Sequence, residues 1–185
     1  MAQDQSVPCI WLLSDRRNDA VLEDAILRLP PRSGFVFRHY HLDAELRANR
    51  FAHILPLLRR GGHWAIISGD AATAQAWGAD GIYGQQAGLP PAPLRWIATA
   101  HNAAELDDAN TAGATAVMLS PVFPTRSHPG GATLGMAPFR ALAARSAIPV
   151  IALGGMTAAR ARELDWPRWA AIDGLTQRGD PSLCP

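Results

Sequence analysis

Trp77-Gly-Ala-Asp-Gly-Ile-Tyr83 and Ala112-Gly-Ala-Thr-Ala-Val-Met118 are two copies of one unit. In each, a helical stretch stops at a glycine, a turn of two or three residues follows, and a β-rich run begins. Glycine accepts the left-handed conformation that ends many helices, so the repeat has a mechanical cause. A helix–turn–strand unit used twice predicts helices alternating with parallel strands.

Outward from these copies, eight short apolar runs recur: Cys9–Leu13, Gly34–Arg38, Trp64–Ser68, Gly81–Gly84, Arg95–Thr99, Ala116–Leu119, Pro149–Leu153 and Trp169–Asp173. Most are continuously apolar, as strands covered on both faces are. Helical stretches fall near Asp19–Leu29, Ala44–Arg59, Ala71–Trp77, Ala103–Thr111, Met136–Arg145 and Ala158–Leu164. In the second of these, Leu46, Phe51, Ile54, Leu55 and Leu58 recur at helical spacing and define a core-facing stripe. Gln85–Leu94 carries three prolines, so the fourth helix is expected to be lost or reduced to a turn. The order predicts a single α/β domain over residues 1–185, a compact (β/α)8 TIM barrel with a reduced fourth helix. Such barrels usually exceed ~200 residues, so the connections must be trimmed. An open doubly wound sheet with fewer strands is the alternative.

Composition narrows the chemistry. Of 185 residues, 48% are apolar and 18% charged, enough to bury a core. Seventeen basic against 16 acidic side chains give a net charge of +1, with no basic patch for a nucleic acid or a membrane surface. All 17 basic residues are Arg, which excludes lysine Schiff-base catalysis, pyridoxal phosphate and the Walker phosphate loop. Cys9 and Cys184 form neither a disulfide framework nor a zinc motif. No apolar run reaches the ~18 residues of a membrane span, and Met1–Val7 lacks a signal-peptide pattern, so a soluble cytoplasmic protein is expected.

In a (β/α)8 barrel the active site lies at the C-terminal ends of the strands. Gly154-Gly155 follows the seventh run, and Met156-Thr157 then opens a helix. Paired glycines let backbone amides approach an anion, a helix start favours negative charge, and loops after strands seven and eight commonly bind phosphate. Gly174 and the amide of Leu175 complete the expected cradle. Ser120–Gly131 is a long Pro/Gly-rich excursion in which Thr125 stands where the strand ends and Arg126, Ser127 and His128 are placed to close over a ligand, unless it is an ordinary surface loop. Arg38 emerges from an apolar strand and either meets an anion or reaches solvent. His101 follows the fifth run as an acid/base or a structural partner. His39 and His41 are two apart and lack a third ligand nearby in sequence, so no metal site is expected there. Trp11, Phe35, Phe37, Trp64 and Trp96 are expected to pack the core.

The run Ser120-Pro-Val-Phe-Pro-Thr125, followed by Pro149-Val-Ile-Ala-Leu-Gly-Gly-Met-Thr157, resembles the signature of the thiamine phosphate synthase and TenI superfamily. FVFRHY (35–40), IISGD (66–70), GADGIYGQ (78–85) and WLLSDRR (11–17) extend the resemblance over essentially the whole chain. It implies a (β/α)8 barrel, often dimeric, acting on small phosphorylated substrates. The synthase joins a pyrimidine diphosphate to a thiazole phosphate and releases diphosphate with Mg²⁺, whereas TenI-type members aromatise the thiazole phosphate. By ungapped matching, Arg38 keeps the family arginine, Thr99 replaces the serine after strand five, and Ser127 and His128 replace a loop threonine and lysine. With His101 these form the expected catalytic set, Arg38, Thr99, His101 and His128, while Thr125, Ser127, Gly154, Gly155, Gly174 and Leu175 form the phosphate site. Tyr40 replaces a second lysine, Ser68-Gly69 the Asn-Asp pair that holds Mg²⁺, with Asp70 displaced by one, and Gly88 the second metal carboxylate. Pro121 stands where the TenI histidine would be. The resemblance therefore implies Mg²⁺ while the usual carboxylate ligands are missing. Three activities are implied: the synthase, an impaired paralogue that binds thiazole phosphate or another phosphate ester, and a tautomerase using His101 or His128.

Overall fold

The computed structural model of the chain describes residues 6–86, 89–127 and 129–176. Eight strands pair in chain order: β1 (Ile10–Leu13), β2 (Gly34–Phe37), β3 (Trp64–Ile67), β4 (Gly81–Tyr83), β5 (Arg95–Ala100), β6 (Ala116–Leu119), β7 (Val150–Ala152) and β8 (Trp169–Ala171). Every pairing is parallel, and β1 pairs with β8 in the register Ile10↔Trp169, Trp11↔Ala170, Leu12↔Ala171. That last ladder closes the barrel and removes the open-sheet alternative. Helices α1 (Leu22–Arg28), α2 (Ala44–Arg60), α3 (Ala71–Trp77), α4 (Ala103–Thr111), α5 (Met136–Ala143) and α6 (Ala158–Leu164) follow β1, β2, β3, β5, β6 and β7. Among the described residues no helix separates β4 from β5, as the prolines of 85–94 predict.

Successive side chains on a strand point to opposite faces, and here both faces are apolar. Trp11, Val36, Ile66, Ile97, Met118 and Ile151 pack inside the barrel. Leu12, Phe35, Phe37, Ile67 and Val117 join the larger core shared with the helices. Trp11 needs space from its neighbour. A Cβ on Gly34, its register partner on β2, would lie 2.1 Å from the indole ring. Trp96 is also buried, whereas Trp64 is half-buried with the Arg95 guanidinium 4.2 Å above its ring.

The helices begin where the sequence supplies caps. Asp43, Asp70, Asn102 and Thr157 each accept the N–H three residues on with a side-chain oxygen. Gly78 ends α3 in the left-handed conformation (φ +69°), the role its place in the repeat predicts. The α2 stripe needs one correction. Phe51, Ile54 and Leu58 are buried, but Leu46 is 54% exposed. Five residues before Phe51, it stands about 140° away around the helix. The seventh and eighth apolar runs, Pro149–Leu153 and Trp169–Asp173, also outlast their strands, which end at Ala152 and Ala171. No helix among the described residues is long and apolar enough to cross a membrane.

Candidate functional site

At the C-terminal ends of the strands lies a cavity of about 720 Å³. Its wall draws on the turns after β1, β7 and β8, the ends of β2, β4 and β5, and the 120–132 loop; β3 supplies none of it. Arg38, His101, Thr125, Ser127, Gly154, Gly155 and Gly174 all reach this wall.

Main chain makes the rim after β7 and β8. Gly154 (φ +99°) and Gly155 (φ +62°) hold conformations that favour glycine, and added Cβ atoms would lie 2.6 Å from Pro121 Cα and 2.4 Å from Pro124 O. A Cβ on Gly174 would lie 2.2 Å from Met156 O, so these two turns also meet backbone to backbone. The carbonyls are used: Leu153 O accepts from Val122 N–H at 2.9 Å and Gly154 O from Phe123 N–H at 3.1 Å, while Gly155 O accepts from Arg160. The N–H groups of Gly154, Gly155 and Gly174 have no acceptor among the described residues. Unpaired amides on a cavity wall need water or a ligand, because a buried donor without an acceptor costs about 1–3 kcal/mol.

The loop is tied down on its other side. Thr125 Oγ1 accepts from Ser127 N–H at 3.2 Å, and Ser127 Oγ accepts from Arg17 at 3.1 Å. Arg17 also pairs with Asp173 at 3.3 Å, joining the turns after β1 and β8. Arg38 donates from Nε to Ser14 O at 3.2 Å and from Nη2 to Asp15 Oδ2 at 2.7 Å. Tyr83 shares the wall with it, and burial pushes the Tyr83 phenol's pKa up, so it stays un-ionised.

Beneath Arg38 lies a polar relay. Its N–H donates to Ser14 Oγ at 2.8 Å; the same hydroxyl lies 2.8 Å from His39 Nδ1, and His39 Nε2 lies 2.8 Å from Asp19 Oδ1. Burial lowers the His39 pKa against the opposing bond to Asp19, so the ring is neutral near pH 7. Burial would raise the Asp19 carboxyl, yet the bonds from His39 and Arg50 outweigh it and hold the pKa below the usual value. An ionised Asp19 only accepts, which puts the His39 proton on Nε2 and makes Ser14 the donor to Nδ1.

His101 lines the cavity and its Nδ1 lies 2.8 Å from Glu105 Oε2, beside the reciprocal bonds that Asn102 and Glu105 exchange at the start of α4. Two expected site residues stand apart from the wall. Thr99 is half-buried in β5 and does not reach it. The Leu175 side chain is buried in the core shared with the helices. His128 and Gly88 lie outside the described residues. Arg17, Tyr83 and Arg160 also line the wall, and no motif in the sequence gives them a role. Arg17 follows the first run, so the strand-end rule was the signal that marked its place.

The residues present do not fit the Mg²⁺ that the family pattern implies. Asp70 caps α3, and the Thr73 N–H it accepts at 2.7 Å lowers its pKa. Arg47 Nη1 would lie 4.0 Å from a Cβ on Gly69, and Arg47 donates to Ser68 O. Asp19, His39 and His41 do bring ligand-type atoms within 4.8 Å of one another, but Arg50 Nε also donates to Asp19 Oδ1, at 2.9 Å. A guanidinium on the same carboxylate opposes a cation.

A closed parallel barrel whose cavity is rimmed by glycine turns after its last two strands defines a class: (β/α)8 proteins that work at the C-terminal face. Known proteins narrow the class. The thiamine monophosphate synthase family profile matches residues 15–167. The thiamine-phosphate synthase of Chloroflexus aurantiacus is 28% identical over 168 residues, covering 86% of this chain and 76% of that protein. The thiamine-phosphate synthase of Methanoregula boonei is 34% identical over 124 residues, covering 62% and 56%. In fold the chain is similar to thiamine phosphate pyrophosphorylase from Pyrococcus furiosus, with a TM-score of 0.75 at 20% identity over 91% of this chain and 88% of that one. The chain belongs to the thiamine monophosphate synthase family.

Proposed function

We propose that the protein is a transferase of thiamine biosynthesis that joins a pyrimidine diphosphate to a thiazole phosphate. The observation that carries this reading is the set of three backbone N–H groups, on Gly154, Gly155 and Gly174, that belong to one cavity wall and have no acceptor among the described residues. Such a cradle suits the phosphate of the thiazole partner. Thr125 and Ser127 close the same side. Arg38 faces the cavity from β2, where a charge-assisted fork suits the diphosphate that leaves. The bond between the pyrimidine methylene carbon and diphosphate oxygen breaks, and a bond from that carbon to the thiazole nitrogen forms. The diphosphate departs with the electron pair of the broken bond. Stabilising that charge is the task the wall would perform, and one such donor is commonly worth ~3 kcal/mol.

Purified protein supplied with both substrates should yield thiamine phosphate and diphosphate in equal amounts. A one-sided wall favours a second reading, in which thiazole phosphate binds without turnover, because β3 supplies none of the cavity and β4 supplies Tyr83. Calorimetric binding of thiazole phosphate with no product from both substrates would select that reading; failure to bind it defeats both.

A further inference from the structure

Among the described residues, the carboxylates at the mouth of the barrel are already engaged. Asp15 pairs with Arg38 at 2.7 Å and with Arg17 at 3.4 Å, and Asp173 pairs with Arg17. Asp19 and Glu23 share Arg50. Asp43 and Asp70 cap α2 and α3. The segment 85–94 contains no acidic residue. At the end of β3, the Arg47 guanidinium stands beside Gly69, donates to Ser68 O and, at 3.1 Å, to Arg38 O, and lies 5.6 Å and 5.5 Å over the Phe37 and Trp77 rings. An aspartate at 69 would meet this arginine before it met a metal. Among the described residues, the cavity wall holds Arg17, Arg38, Arg126 and Arg160 against Asp173 alone.

Mg²⁺ demands near-octahedral oxygen ligands, usually with one or two carboxylates, and each carboxylate here would first have to release its arginine or its helix cap. Arginine supplies what an anion needs without that exchange: a fixed positive charge and five N–H donors in a rigid fork. Two Arg38 nitrogens are held by Ser14 O and Asp15, its guanidinium carbon lies 5.7 Å from the centre of the Tyr40 ring, and the residue lines the cavity with Tyr83. We infer that the protein holds the diphosphoryl end of its ligand with arginine in place of a divalent cation, Arg38 foremost, and that this binding is independent of Mg²⁺. The inference deepens the transferase reading above by fixing how the leaving group is held, and it rests on that reading for the identity of the anion.

The experiment is a calorimetric titration of inorganic diphosphate into the purified chain, once with EDTA and once with excess Mg²⁺. The dissociation constants should agree within about threefold, and Arg38→Met should weaken binding at least tenfold in both buffers. Binding that appears only with Mg²⁺ overturns the inference, as does absence of binding in both buffers or an Arg38→Met variant that binds as well as the wild type. Should that variant not fold, the wild-type comparison of the two buffers still decides. A parallel titration with thiazole phosphate separates the two proposals. If thiazole phosphate binds and diphosphate does not, the inference falls and the glycine-rim reading stands. If diphosphate binds in EDTA but both substrates yield no thiamine phosphate, the transferase reading falls and the arginine site stands.

Discussion

Asp15 accepts a hydrogen bond from Arg38 at 2.7 Å, so the arginine that β2 delivers to the cavity arrives already paired. Both side chains are mostly covered, at 15% and 19% exposure, so removing one partner would leave the other charge largely shielded from water. Asp15 is thus an anion already present beside the arginine proposed to hold the ligand's diphosphoryl end.

Asp15→Asn keeps the shape and one acceptor oxygen while removing the charge. It should cost about 1 kcal/mol of stability, read from urea unfolding, because the bonds to Asp15 lose their ionised acceptor. It should also tighten inorganic diphosphate about threefold by calorimetry, since a competing negative charge is gone. Weaker binding would mean that Asp15 is needed to aim Arg38.

Gly154→Ala tests the main-chain rim. The new methyl would sit 2.6 Å from Pro121 Cα in a backbone with φ +99°, so strain and a clash with backbone combine. A loss of roughly 2–4 kcal/mol is expected in urea unfolding. A variant as stable as the parent would show that the β7 turn and the 120–132 loop are not held together as described.

Thr157→Ala removes the side-chain acceptor for Arg160 N–H at the start of α6, a 3.2 Å contact. About 1 kcal/mol of stability should be lost, with Thr157→Ser restoring most of it. An unchanged midpoint for the alanine variant would rule out a working cap.

Stability should also depend on pH through two buried histidines. Burial lowers the pKa of both His39 and His63, against 6.5 for a free side chain. Between the folded values and 6.5 the unfolded chain binds more protons, so stability rises with pH across that window. Acidification from pH 7.5 should therefore lower the urea midpoint as pH passes below 6.5, levelling off beneath the folded pKa values. The Asp19 carboxyl, with its lowered pKa, adds a separate loss only at more acidic pH. A flat profile from pH 7.5 to 5.5 would contradict neutral, buried rings.

Barrel architecture was legible because it rests on local rules. Gly78 needed only its left-handed cap, and the prolines of 85–94 needed only their missing donors, so both announced themselves in sequence. The glycine rim was legible for a similar reason, since close backbone approach leaves few residue types. What stayed hidden depends on partners far apart in the chain. Arg38 looked like a free charge until Asp15 met it, 23 residues away. Arg17 gained a place only when the closed barrel brought Asp173 and Ser127 beside it, at separations of 156 and 110 residues. Leu46 misled because helical spacing alone does not say which side of α2 meets the barrel. The Leu175 side chain packs in the core, which leaves the expected role of its amide untouched.

The most direct test of the central claim is a crystal structure of the protein soaked with thiazole phosphate. The account expects phosphate oxygens about 3 Å from the N–H groups of Gly154, Gly155 and Gly174, with the thiazole ring inside the cavity. Density for the phosphate on surface arginines alone, with those three amides left empty or bonded to protein, would contradict it.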